Sequence, residues 1–225
     1  ETVGTLILIS TALFVALPLA LGLALTRAAY LRTTTARRTL DALLSAAAAI
    51  PSIVWGLAGL AVFGRFLGWG KSWLAGGIVL GLMIVPTIAV ALVERLLAVA
   101  PRVVQAARAL GLSNSQTVRS VLLPQARAGL VSGSLLGIAR AAGETAPILL
   151  TAAVFSGAEL WPRGIVESPV AALPYHVFVL AQDSLDPRAQ EHLWGAAFVL
   201  LAIVLTLSLA ALPLRLRLFE ASRKP

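Results

Sequence analysis

Five predominantly apolar stretches, at 3–25, 40–66, 73–93, 128–155 and 193–214, are each long enough to cross a hydrocarbon layer as a helix. They limit the fold more than any other feature, because a backbone in lipid must satisfy its own N–H and C=O groups. Composition agrees: 59% of residues are hydrophobic, 12% are charged and the mean hydropathy is +0.91. That is about half the charged fraction of an ordinary soluble domain. The ten-residue alternating segments of a membrane barrel are absent. The pattern predicts an all-α membrane protein, a bundle of about five transmembrane helices forming one transmembrane domain over 1–225.

Several chemistries are excluded early. There is no cysteine, so neither a disulfide framework nor a thiolate metal site is available. His176 and His192 have no His or Glu partner at a spacing that would put ligands on one helical face. No serine has a plausible buried histidine beside it, so intramembrane hydrolysis is poorly supported. The run from Gly64 through Gly70-Lys71-Ser72 imitates a phosphate-binding loop, but the residue five before Gly70 is Arg65 rather than glycine. The piece also joins two spans instead of following a strand, so it reads as an external turn. The chain is therefore expected to bind no metal or cofactor and to hydrolyse no ATP itself.

Charge placement predicts orientation. With the first span starting outside, the inner loops hold Arg27, Arg32, Arg37, Arg38, Arg95, Arg102, Arg108, Arg119, Arg127, Arg215, Arg217, Arg223 and Lys224. The outer loops hold only Arg65, Lys71, Arg163 and Arg188. The positive-inside rule then puts the N-terminus outside and the C-terminus in the cytoplasm. It also accounts for the +8 net charge without nucleic acid. Trp69, Trp73, Trp161 and Trp194 fall near the outer boundaries, where indoles favour the headgroup layer of the membrane lipid. The outer segment 156–191 is acidic, and within it 173–182 is too short to span, predicting a short gate-like helix at the outer mouth. The opening residue Glu1 and the long first apolar run argue against a signal peptide, and a further helix upstream is compatible with the sequence.

The inner segment 94–127 carries helix punctuation. Pro101 suits a first helical position and Gly111 a left-handed closing residue. Ser113 and Gln116 are spaced as a capping box, with Pro124 expected to stop the second short helix. Ala106, Ala107 and Ala109 keep the first helix slim enough to settle into a partner's cleft. In the fourth span, Gly129, Gly133, Gly137 and Ala141 recur every four residues and predict a groove for close helix approach. Beside it stand Arg140 and Glu144, one turn apart. A charge at that depth costs about 2.5–3.5 kcal/mol on insertion scales, which marks it as functional by default. The plainer alternative is an i,i+4 pair that neutralises itself inside the bundle. Pro147 is expected to kink the helix beside Glu144. An arginine there suits a tetrahedral oxyanion, which its planar fork can bind through two hydrogen bonds.

Two resemblances follow. Gln105-Ala106-Ala107, then Gly111, then Val121-Leu122-Leu123-Pro124 resembles the cytoplasmic coupling loop of ABC importer permeases, departing where Gln105 replaces the usual glutamate. The run Ala139-Arg140-Ala141-Ala142-Gly143-Glu144-Thr145-Ala146-Pro147, with Ile50-Pro51-Ser52-Ile53-Val54-Trp55-Gly56-Leu57 and Leu173-Pro174-Tyr175, is similar to the PstA permeases of phosphate-specific ABC importers. This second likeness runs over nearly the whole chain. It implies a MetI-like transmembrane domain in the bacterial inner membrane, a sixth span at the N-terminus, and a pore shared with a PstC-like subunit. It further implies two PstB-like ATPases that hold ATP–Mg and dock on the coupling loop, and a PstS-like phosphate-binding protein at the outer mouth. The substrate path would then include Arg140, Glu144, Thr145 and Pro147, and the outer gate Pro174 and Tyr175. Other readings remain: a PstC-like subunit, a permease for molybdate or sulfate, or an ATP-independent channel or scaffold.

Overall fold

The computed structural model describes residues 1–31, 33–98, 101–182 and 187–221. Of the cations used for orientation, Arg32, Arg223 and Lys224 lie outside the described residues, as do Asp183 and Asp186 of the outer segment. Ten α-helices account for most of the described residues, and an isolated parallel bridge between Ala153 and Val170 is the only strand-like pairing among them. They are α1 (Thr2–Leu25), α2 (Thr34–Ala49), α3 (Ser52–Gly59), α4 (Trp73–Leu97), α5 (Pro101–Ala109), α6 (Asn114–Thr117), α7 (Leu123–Ala142), α8 (Ala146–Thr151), α9 (Leu173–Gln182) and α10 (Pro187–Ala221). Wide, π-type turns extend α1 through Thr26–Tyr30, extend α3 through Leu60–Phe66, and join α6 to α7 through Val118–Leu122.

Among the described residues, four helical stretches are long and apolar enough to cross a membrane: Thr2–Tyr30, Trp73–Leu97, Asn114–Ala142 and Arg188–Ala210. The predicted span at 40–66 is not straight. Thr34–Ala49 and Ser52–Phe66 meet at 88°. The cause is Pro51, extended at φ −57° and ψ 139°, which lacks an N–H and bars its predecessor from helical geometry. The predicted span at 128–155 is also divided. Helix α7 ends at Ala142, and Gly143 and Glu144 close it with tight bonds to the carbonyls of Arg140 and Ala141 at 3.2 and 3.3 Å. Pro147 then lies in the first turn of α8, where its missing N–H costs nothing. It begins a new helix rather than kinking an old one.

The chain forms two compact units. The first comprises Glu1–Val15, Ile50–Ile84 and Ile138–Leu207. Its core holds Leu8, Leu80, Met83, Ile84 and Ile148, all within 2% of complete burial. Here α4 lies hard against α1, for a methyl at Gly81 would meet the Ala12 carbonyl oxygen at 2.9 Å and Val15 Cβ at 2.9 Å. The second unit comprises Ala16–Ala49, Val85–Gly137 and Ser208–Pro225, with Ile88, Ala89, Leu92, Leu96 and Leu122 buried. In it Arg27 donates two 2.8 Å hydrogen bonds to the Asp41 carboxylate. No residue in the apolar window of α10 is fully buried by the rest of the chain, and Trp194 and Phe198 are 72% and 71% exposed. A surface so apolar is stable only against lipid or another subunit.

Candidate transport pathway and coupling hairpin

The first unit assembles the polar feature of the fourth span. Arg140 occupies the last turn of α7, and Glu144 stands in the break that follows. Arg140 Nε lies 3.9 Å from Glu144 Oε1, with side-chain exposures of 30% and 19%. That separation is an ion pair, well beyond the 2.7–2.9 Å of a charge-assisted hydrogen bond. The two charges attract without locking. Thr145 precedes α8 and makes no side-chain cap, and Pro147 is buried.

The break is held by its neighbours. Gly56 of α3 is apposed to the start of α8: an added methyl would meet the Ala146 carbonyl oxygen, Pro147 Cα and Leu150 Cδ1, each at 3.0 Å. At the far end of α8, Thr151 Oγ1 donates to the Pro147 carbonyl at 2.7 Å, and the Thr151 carbonyl accepts the Ser72 N–H at 2.8 Å. The short helix after the charged pair is thus pinned at both ends. Its position is set by backbone contacts, which yield less readily than side chains.

Helix α9 occupies the predicted gate segment. Its first residue, Leu173, donates its N–H to Thr5 Oγ1 at 2.9 Å in a buried site, and Pro174 is buried beside it. Tyr175 lies beneath Lys71, whose Nζ stands 5.8 Å from the ring centroid. Lys71 also donates to the Ala153 carbonyl at 2.8 Å. Burial lowers the pKa of this ammonium below the ordinary lysine value. His176 stacks on Phe155 with centroids 4.9 Å apart and planes at 10°. Sequence reasoning passed over Lys71 as part of a failed phosphate loop. The usable signal was its scarcity, one of two lysines in the chain.

The second unit builds the hairpin of segment 94–127. Helix α5 begins at Pro101, and Gly111 turns left-handed at φ +80° just past its end. Leu110 and Leu112 return N–H bonds to the Ala106 and Ala107 carbonyls. Ser113 caps α6 with both halves of a capping box: its hydroxyl accepts from the Gln116 N–H, and the Gln116 side chain accepts from the Ser113 N–H. Gln105 and Ala106 are exposed, while Ala107 faces inward at 7% exposure. Gln105 borders a cavity of about 310 Å³ shared with Arg37, Val104, Asn114 and Thr117.

Pro124 does not stop the second helix. Leu123 donates to the Val118 carbonyl, one residue further back than in an α-helix. This widened turn relieves the clash between the Pro124 ring and the carbonyl one turn before it, so the helix continues. Leu123 and Pro124 remain exposed. Beyond them Gly129 faces Leu92 and Arg95, Gly133 faces Ile88, and Gly137 is buried. Methyls at the first two would approach α4 atoms at 3.1 and 3.0 Å. A stripe of small residues lets these helices close up, as membrane helices do when burial from water no longer drives them together.

These elements define a multi-pass helical membrane protein that carries a capped, exposed hairpin ahead of a helix ending in charge. The chain belongs to the family described as binding-protein-dependent transport system inner membrane component, which matches residues 16–215. It is 37% identical over 139 residues to the probable phosphate transport system permease protein PstA of Methanocaldococcus jannaschii, covering 60% of this chain and 47% of that protein. It is 36% identical over 159 residues to PstA 2 of Mycobacterium bovis, covering 70% and 52%. Against PstA 1 of Mycobacterium tuberculosis it is 32% identical over 223 residues, covering 98% and 70%. The chain spans about half the length of the first two relatives. In fold it is similar to the inward-facing MetNI methionine ABC transporter, with a TM-score of 0.76 at 17% identity over 96% of this chain and 93% of that one.

Proposed function

We propose that this chain is the permease subunit of an ABC importer that carries inorganic phosphate inward, driven by ATPase subunits on separate chains. The observation that carries the reading is the Arg140–Glu144 pair, 3.9 Å apart where α7 ends and the chain breaks before α8. The guanidinium fork suits a tetrahedral oxyanion, and Glu144 holds it when the path is empty. The names of the curated relatives support phosphate as the cargo. A PstC-like subunit completes the pore and covers apolar surface such as that of α10. A PstS-like binding protein delivers phosphate at the side where α9 lies, and the C-terminus is cytoplasmic.

The hairpin at Gln105, Ala106, Ala107 and Gly111 docks on PstB-like ATPases, two per transporter, which hold ATP and Mg²⁺. Closure of that pair draws on the hairpin. From Asn114 to Ala142 the chain is helical over 29 residues, so in sequence the hairpin leads through that helix to Arg140. Phosphate admitted past Pro174 and Tyr175 then meets the arginine, and alternating access follows. In membrane vesicles carrying the assembled transporter, labelled phosphate is taken up with ATP, and excess sulfate or molybdate leaves that uptake intact. Uptake of sulfate or molybdate in preference to phosphate would overturn the choice of cargo.

Gln105 is a neutral amide where the resembling loops carry glutamate. Because glutamine still accepts a hydrogen bond from a partner donor, Gln105→Glu is expected to change the affinity for the ATPase by less than about fivefold, roughly 1 kcal/mol. Affinity measured between the purified permease and ATPase checks this. A gain of two orders of magnitude would show that charge rather than hydrogen bonding governs docking.

A further inference from the structure

Lys71 is one of two lysines in the chain, and it is placed unlike an ordinary surface lysine. A surface lysine extends its ammonium into water. This one is half-buried and bends onto the protein, donating to the Ala153 carbonyl at 2.8 Å with the Tyr175 ring centroid 5.8 Å away. Both partners are neutral. Arg163, another cation of the outer segments, is paired with Glu159 at 2.8 Å. Among the described residues no carboxylate lies within ion-pair distance of Lys71. Glu167 comes near its neighbour, its Cγ 3.1 Å from where a methyl on Gly70 would stand, but forms no ion pair with the ammonium.

A cation withdrawn from water without a counter-charge is costly, and the lowered pKa records that cost. An ammonium has three donors, of which the Ala153 carbonyl takes one. The remaining donors and the unbalanced charge call for an anion small enough to reach a recessed group. A folded partner's acidic surface fits less well than a small anion, because the Lys71 ammonium bends onto the Ala153 carbonyl and does not extend into water.

We infer that Lys71, set against Tyr175 of α9, forms an outer capture site for a small oxyanion, occupied before the anion reaches Arg140. The inference rests on the cargo and sidedness given under Proposed function. Residue 71 belongs to the same compact unit as the charged pair and α9. The site would raise the local concentration of anion at the mouth and hold it weakly, since one ammonium offers a point charge rather than a bidentate fork.

The test uses right-side-out vesicles carrying the whole transporter. A membrane-impermeant amine-acylating reagent is added with inorganic phosphate or with chloride at equal ionic strength, and modification of Lys71 is read by peptide mass spectrometry. Phosphate is expected to protect Lys71 several-fold over chloride. Lys71→Gln keeps an N–H for the Ala153 carbonyl but removes the charge. It is expected to raise the half-saturating phosphate concentration about tenfold while leaving the maximal rate within about twofold, the loss expected of one charge-assisted hydrogen bond. Lys71→Arg restores saturation. Equal labelling in phosphate and chloride, or a Gln variant that saturates like the wild type, overturns the inference. So does a Gln variant that loses only maximal rate, because that marks a structural clamp, and so does protection by an acidic binding protein alone. If the wild type transports phosphate and the Lys71 arms fail, only the capture site falls. If the wild type transports none, the cargo reading falls and the capture site falls with it.

Discussion

Arg140→Gln is expected to reduce phosphate uptake by about two orders of magnitude or more while the transporter still assembles. Removing one member of a charge pair that contacts a ligand costs about 2–5 kcal/mol, and each 1.4 kcal/mol is tenfold. Glutamine cannot replace the loss, because it offers one amide where arginine offers five N–H donors and a full charge. Assembly should survive, since the Arg140 side chain is 30% exposed and glutamine keeps much of its length and can still donate hydrogen bonds. The single variant also leaves Glu144 without its counter-charge. A double variant separates the two roles. If the pair only neutralises itself, Arg140→Gln with Glu144→Gln restores uptake, because no charge remains unmatched. If the arginine holds the anion, the double variant stays inactive. Labelled phosphate uptake gives the rates, and gel filtration of the solubilised complex reports assembly. Normal uptake by the single variant would sink the assignment of Arg140.

The parts of this molecule that could be read from sequence are those whose causes are local. The start of α5 at Pro101, the left-handed Gly111 and the Ser113–Gln116 capping box each depend on a few neighbouring residues, and each stands where the spacing predicts. Arg140 and Glu144 lie close because only three residues separate them, although Glu144 stands in the break after α7 and not on a further turn of that helix. Hydropathy located the apolar material but not its direction. A window average is indifferent to a bend, so the 88° turn at Pro51 was invisible even though Pro51 itself was in view. Pro124 was misread for the opposite reason. A proline breaks a regular α-helix, but the widened turn at Val118–Leu122 removes the clash before the ring arrives. Pro147 shows the third case, in which the same residue begins a helix because Gly143 and Glu144 have already ended the previous one. The grip of Lys71 on Ala153 and Tyr175 joins segments far apart in sequence, and no spacing rule reaches so far.

Gly4→Ala is expected to destabilise the protein and to impair transport beyond that loss of stability. Gly4 lies in the first turn of α1, where the new methyl would collide with the Ala171 carbonyl oxygen, 3.0 Å from its carbon and 3.1 Å from Val170 Cβ. The obstacle is backbone, so no rotamer change relieves it. Residues 170–173 are also bonded on both sides. Val170 exchanges bonds with Ala152 and Val154 at 3.1 and 3.2 Å, and Leu173 donates to Thr5 at 2.9 Å. Accepting the methyl means breaking one of those attachments. Overpacking of this kind costs about 1–3 kcal/mol, which at about 2–4 °C per kcal/mol lowers the melting temperature by several degrees. Gly22→Ala is the matched control, on the same helix with no atom within 4 Å of the added methyl. It should be neutral or slightly stabilising, because alanine favours a helix over glycine by about 1 kcal/mol. The displaced segment leads directly into Leu173, Pro174 and Tyr175, so uptake per folded transporter should fall for Gly4→Ala and hold for Gly22→Ala. Thermal unfolding in detergent and uptake in vesicles measure the two effects separately. Equal melting temperatures for the two variants would show that 170–173 gives way freely and that α1 does not position α9.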